Sequence, residues 1–329
     1  MLDFMHKADV AHRIHFTIHT ISVDEERGFD AMKATLLLSG LYVECAFLFD
    51  NCDEALQGTF VKLGELLGCE PMRGDIDVTA MPPSTIIDFD AEIGRAMARE
   101  FFEEWLDCEY GFHSMLLELT HSIFDQWEDP INGGGQSKAE SFRLLIECTY
   151  RAMAYELAAQ ELCDVVIEKC IGFDGWNMAD SISGLAGLAG RMLSYSHGGR
   201  DQCCWFRGSD LPDLVDQTAY VMTQEAVRLG LSSGTDWRFG LPANDTPANA
   251  PTVLVNNIEA ICSGFFQAVN LYDYTDRSVC AAKAAGRMLA VACAGERPDL
   301  EAAIGKPLAM AALTESYKSA CVEYAAVSY

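Results

Sequence analysis

The longest run with a single clean period spans residues 88–129. Its large apolar residues fall at Ile93, Met97, Phe101, Trp105, Cys108, Phe112, Leu116, Leu119, Ile123 and Trp127, always three or four apart. That spacing is a helical stripe and excludes a strand alternation. At about 100° per residue, Glu100, Glu103, Glu104, Asp107, Ser114, Glu118, His121 and Asp125 collect on the other side. The pattern predicts one helix, or two stacked around Gly111, with a buried face and an acidic ridge. Asp88 or Asp90 suits its N-cap and Glu92 its first turn.

The same period runs through most of the chain. It predicts helices over 8–22, 28–49, 54–67, 138–171, 178–195, 211–230, 252–272, 275–294 and 307–327. Residues 70–87, with three prolines and a glycine, read as a loop, and PINGGGQS over 130–137 is a hard break. No strand precedes the glycines of that break and no Gly-Lys-Ser/Thr follows them, so it is not a phosphate-binding loop. The longest irregular stretch is 232–250, long enough to suggest a functional loop or lid. The expected fold is therefore all-α, a multi-helix bundle of about nine to eleven helices with no substantial sheet. An acidic N-terminal lobe over 1–130 and a second lobe over 138–329 are expected, or one continuous domain.

Two details refine the C-terminal half. GLAGLAG places Gly184, Gly187 and Gly190 inside a helix, where each glycine costs about 1 kcal/mol against alanine. Such a run marks close packing of backbone on backbone. Ala189-Gly190-Arg191-Met192-Leu193 also recurs as Ala285-Gly286-Arg287-Met288-Leu289, and Asp180 aligns with Asp276. The recurrence points to two similar helical hairpins.

Charge changes the picture most. The 329 residues carry a formal net charge of −26 with only 23 basic residues. Residues 1–130 hold 26 acids against 8 bases, and within 74–129 only Arg95 and Arg99 oppose 14 acids. Such a field repels nucleic acid and anionic membranes and favours a basic partner. Thirteen cysteines include no Cys-x-x-Cys pair, and many lie in apolar helical surroundings, as small buried hydrophobes do in a reducing compartment. The first sixteen residues carry charge and histidine where a signal peptide needs an apolar core, and the most apolar stretch, 34–49, is interrupted by Glu44. A cytoplasmic location is the expectation.

Several patterns bear on chemistry. His12, His15 and His19 share one flank of the first helix and offer three imidazoles. The loop 196–210 gathers His197, Arg200, Cys203, Cys204, Trp205 and Arg207. The segment Phe49-Asp50-Asn51-Cys52-Asp53-Glu54 resembles the aspartate-rich Mg²⁺ motif of class I terpenoid synthases, which are all-helical and of similar length. That resemblance implies Asp50 and Asp53 as Mg²⁺ ligands. The working acids of that motif stand four apart, however, whereas these are three apart, and no second Asn/Asp–Ser/Thr–Glu motif follows. Glu118-Leu-Thr-His121 has the Glu-x-x-His spacing of ferritin-like di-iron carboxylate proteins, which implies Fe, but it occurs once and on the polar side of its helix.

The acidic ridge is the most distinctive feature. Solvated helices usually mix Glu with Lys for mutual support, and this one has almost no Lys. The reading that follows is a non-enzymatic, acidic binding protein that inhibits or neutralises a basic partner, of the immunity, anti-defence or DNA-mimic type. Glu100, Glu103, Glu104, Asp107, Glu118 and Asp125 would make the contact with a basic protein or nucleic-acid-binding complex, without a cofactor. The alternatives are a helical metalloenzyme using Fe or Mg, or a structural protein that forms homo-oligomers.

Overall fold

A computed structural model describes residues 2–24, 28–48, 52–69, 89–102, 109–129, 135–170, 177–196, 213–233, 249–294 and 299–327. Among them are eleven helices: α1 (Leu2–Ser22), α2 (Ala31–Leu48), α3 (Cys52–Leu67), α4 (Phe89–Phe102), α5 (Glu109–Trp127), α6 (Lys138–Cys170), α7 (Met178–Ser196), α8 (Asp213–Arg228), α9 (Pro251–Ala268), α10 (Tyr274–Cys293) and α11 (Ala302–Val327). The only extended structure among the described residues is a two-residue antiparallel pair, β1 (Val23–Asp24) with β2 (Gly28–Phe29). The protein is thus all-α, as the periodicity predicts.

Local chemistry sets the helix ends. Asp30 caps α2 through the Lys33 amide (3.0 Å), and Asp273 caps α10 through that of Thr275 (2.7 Å). Asn177 and Asp180 form a reciprocal box at the start of α7, each side chain accepting the other's backbone N–H. At the other end, Gly68 after α3 and Gly230 after α8 take φ of +68° and +101°. That left-handed step lets the next amide reach back five residues, Cys69 N–H to Gly64 O (2.9 Å) and Leu231 N–H to Ala226 O (3.0 Å). The α11 helix starts five residues before the sequence suggests, with Pro307 inside it.

The helices divide into two compact units, one made of α1–α5 with α6 as far as Ala154, the other of α6 from Tyr155 through α11. In the first, α2 is buried on every side from Ala34 to Ala46. It is the one helix among the described residues long and apolar enough to cross a membrane. It meets α4 at two glycines. A Cβ on Gly40 would lie 1.9 Å from the Ala91 carbonyl oxygen, and one on Gly94 would lie 2.0 Å from that of Leu37. Only backbone-to-backbone packing fits there. Tyr42, Phe60, Phe124 and Trp127 complete this core.

The second unit is built as a reciprocal exchange. The α7 helix packs most extensively on α11 and α10, and α10 packs on α7 and α8. Exchanging α7 with α10 and α8 with α11 maps these contacts onto each other. Sequence register supports the exchange at a constant offset of 96. Asn177 and Asp273 are the N-caps, Asp180 and Asp276 sit three residues on, and Gly190-Arg191 matches Gly286-Arg287. Each glycine admits a neighbour's backbone: a Cβ on Gly190 would lie 2.1 Å from Leu313 O, and one on Gly286 would lie 2.4 Å from Met222 O. The two copies therefore do not close as separate hairpins: α7 packs on α11 and α10 on α8, so each copy completes the other. Gly94-Arg95 in α4 lies 96 residues before Gly190-Arg191 and makes the same kind of crossing in the first unit.

These contacts predict an ordering of alanine substitutions. G94A, G190A and G286A each force a methyl against a carbonyl and should lose about 1–3 kcal/mol or more in denaturant titration. Gly58 in α3 has nothing within 4 Å of the added carbon. G58A should be neutral or gain up to about 1 kcal/mol.

Candidate functional site

The predicted acidic ridge spans two helices. α4 ends at Phe102 and α5 begins at Glu109. The stripe residues Met97, Phe101, Leu116, Leu119, Ile123 and Trp127 are buried as the period predicts. Of the six ridge acids, Glu100, Glu118 and Asp125 are exposed. Glu103, Glu104 and Asp107 lie outside the described residues. Arg95 and Glu92, which sequence reading assigns to the same acidic stretch, are instead buried. Asp125 has company: Lys138 forms an ion pair with it and His121 Nδ1 stands 3.3 Å away. The Lys138 ammonium holds the Asp125 carboxyl below the usual carboxylate range.

The candidate metal ligands do not assemble. Among the described residues no group of three or more His, Cys, Asp or Glu side chains is placed to share an ion. Glu118 is exposed and His121 faces Asp125. Asp50 and the Asp53 side chain lie outside the described residues, as does nearly all of the loops at 196–210 and 232–250. On α1, His12 and His19 are exposed, while His15 is half-buried and bonds Gln126 Oε1 (3.0 Å). Burial lowers the affinity of the His15 ring for a proton.

Charge collects instead inside the helices, in three clusters, each built on the arginine that follows a crossing glycine. In the first unit Arg95 Nε donates to Glu44 Oε2 (2.8 Å) and its Nη1 to Glu92 Oε1 (3.3 Å), with Arg99 also 3.3 Å from Glu44. At the α7 crossing, Arg191 Nη1 donates to Asn256 Oδ1 (2.6 Å) and Glu259 Oε2 (2.7 Å), both on α9. The third cluster, at the α10 crossing, is the largest. Glu156 on α6 accepts from Lys283 Nζ through Oε1 (2.7 Å), and through Oε2 from Arg287 (2.7 Å) and Arg228 (3.1 Å). Glu225 on α8 receives both Nη2 (2.6 Å) and Nε (3.0 Å) of Arg228, with Arg287 Nε 2.9 Å from its Oε1. Both carboxylates are fully buried, Lys283 nearly so, while Arg228 and Arg287 keep 14% and 15% of their side chains exposed.

Two neighbours frame the third cluster. Tyr155 donates its hydroxyl to Asp276, two turns before Lys283 on α10. The Cys163 thiol donates to Ala284 O (3.2 Å). Burial pushes Cys163 up to about 12 and Cys280 well above the ordinary thiol range, so both are packing groups and not nucleophiles.

The duplicated architecture supplies an internal control. Arg191 and Arg287 are equivalent, and each meets a carboxylate from the helix preceding the other copy's arginine helix: Glu259 on α9 and Glu156 on α6. Lys283, however, is matched 96 residues earlier by Gly187, whose added Cβ would collide with Val255 Cγ2 (2.6 Å) and Ser316 Oγ (2.7 Å). One crossing is held by an arginine, an asparagine and a glutamate; the other gathers five charges.

Sequence reading does not single out Glu156, Glu225, Arg228 or Lys283. The recurring pentapeptide puts Arg287 in register with Arg191, and Lys283 stands among small residues in CAAKAAGRM. Those were the available signals. Comparison with known protein families, with curated proteins and with solved structures finds no match for this chain.

The geometry predicts that E156Q, which keeps the shape and removes the charge, destabilises by about 3–5 kcal/mol in denaturant titration, because it strips a buried carboxylate from its cations. R143A, which breaks an exposed pair with Glu147 (2.6 Å), should cost roughly 0.5 kcal/mol or less. A thiol reagent at pH 8 should modify Cys45, Cys163 and Cys280 only as fast as the protein opens, and at once in denaturant.

Proposed function

We propose that this is a non-enzymatic acidic helical protein that binds and neutralises a basic partner, with Glu100, Glu118 and Asp125 on the described part of the contact surface and Glu103, Glu104 and Asp107 completing it. The observation that carries the reading is where the charge resides. Among the described residues the interior holds five acids (Glu44, Glu92, Glu156, Asp180 and Glu225) and five bases (Arg95, Arg191, Arg277, Lys283 and Lys306). It is balanced, so the surplus of −26 falls on the rest of the chain. A surplus of that size, with few bases to temper it, speeds association with a cationic surface and selects against anionic ones. The contact would be electrostatic, fast at low salt and strongly weakened as salt screens it within about 10 Å at 0.1 M.

The partner class would be a basic protein or a nucleic-acid-binding complex, for which the surface carboxylates stand in for phosphates. The test compares the triple reversal E100K/E118K/D125K with E161K/D164K/E168K, which makes the same change in net charge on exposed positions of α6. Binding to an immobilised lysine-rich protein is measured across 0.05–0.5 M salt. The ridge variant should lose at least tenfold at low salt and show a shallower salt dependence, while the α6 variant loses less. Equal losses would make net charge, and not this surface, the determinant. Unchanged binding by the ridge variant would reject the surface.

A further inference from the structure

The second unit consists of two halves, each held mainly by the other. The first runs from Tyr155 on α6 through α7 and α8, the second from α9 to α11. α7 packs extensively on α11, α10 and α9, and α8 on α10, whereas α7 on α8 and α10 on α11 touch only slightly. Polar contacts follow the same division. From α6 to α10 run Tyr155 to Asp276, Lys283 to Glu156 (2.7 Å) and Cys163 to Ala284 O (3.2 Å). Arg191 on α7 meets Glu259 on α9 (2.7 Å), and Ser278 on α10 donates to Ala189 O on α7 (2.9 Å). Both glycine seams also lie between the halves, Gly190 against Leu313 and Gly286 against Met222. A half alone therefore has an open seam that only the complementary half fits.

We propose that these seams are also an interface between two copies of this chain: the first half of one molecule closes on the second half of another, giving two complete lobes in a domain-swapped dimer. Every seam contact is the same whether one chain or two supply it. Self-closure is favoured only by the covalent connection from Arg228 to Pro251, which acts as an effective concentration of about 1 mM. Copies that fold near that concentration compete with self-closure. The competition is open while α7 lacks α11, because the seam of Gly190 then has no cover from its own chain, a stage at which proteins with internal repeats exchange parts. A formed dimer returns to monomer only by unfolding a lobe, so it outlasts dilution. The charge of −26 on each copy opposes the encounter, and salt at about 0.15 M confines that repulsion to about 8 Å.

The test uses full-length chains carrying two different affinity tags. They are unfolded together in denaturant and refolded at about 10 µM and about 1 mM, either side of and near the effective concentration. Tandem capture and light scattering read the product. The expected result at the higher concentration is a species of twice the chain mass that holds both tags and survives dilution. Chains folded separately and then mixed should give none. A second arm co-refolds E156K with K283E, each of which breaks the buried pair from one side. In the exchanged dimer one of the two lobes is wild-type in sequence, so the dimer should show a melting transition within a few degrees of the wild type, which neither variant shows alone. Wild-type chains that stay single at both concentrations would overturn the proposal. So would two-tag species that form equally from folded chains, which is surface association. A mixed wild-type dimer without rescue of the variant pair would place the contact outside these seams and overturn it as well.

Discussion

A glycine that lets two helix backbones touch, followed at once by an arginine that must find a carboxylate, is the constraint on which this protein depends. The motif recurs at Gly94-Arg95, Gly190-Arg191 and Gly286-Arg287, and in each case the neighbouring carbonyl lies where a methyl group would otherwise stand. Glycine is a poor helix residue, so its use inside three helices is a cost that close packing must offset. Close approach also leaves little room for water. An arginine next to such a contact is drawn out of solvent, and its charge has to be answered from within the protein. Glu44, Glu259 and Glu156 give that answer. Packing and electrostatics are therefore one requirement here, imposed at adjacent positions.

The same logic explains how the charge of the chain is sorted. Buried acids and buried bases are equal in number among the described residues, so the interior is balanced. What remains outside is a surplus of carboxylates with few partners. Composition alone would suggest an acidic protein of uniform character. The structure separates an interior balanced in charge from an exterior whose acidity is free to act at a distance.

Much of the fold was legible in the sequence, because helical period, caps and breakers are local signals. The stripe residues Met97, Phe101, Leu116, Leu119, Ile123 and Trp127 are buried as the period requires, and the nine other segments read as helical are helices within a few residues at most ends. The early start of α11, with Pro307 inside, escaped because a proline reads as a boundary. The candidate site was far less legible. Arg95 appears in sequence as a lone base opposing an acidic field, yet its partner Glu44 lies 51 positions earlier in an apolar helix. Glu156 meets Lys283 across 127 positions. No periodicity connects residues so far apart, and only the recurring pentapeptide hinted that two distant helices play equivalent parts.

The reciprocal arrangement of the second unit has a consequence for how the chain is made. The groove opposite Gly190 is filled by Leu313 and Tyr317, more than a hundred residues later, while Gly286 docks against a helix synthesised well before it. Contacts separated by roughly 120 residues close slowly, since the entropy of the intervening loop must be lost first. During synthesis α7 emerges without its counterpart and must wait for α11 to leave the ribosome. Neither copy is a self-sufficient hairpin that could be cut away, so removal of α11 would leave the glycine seam of α7 open. Because each copy is clasped by the other, the second unit folds or fails as one body.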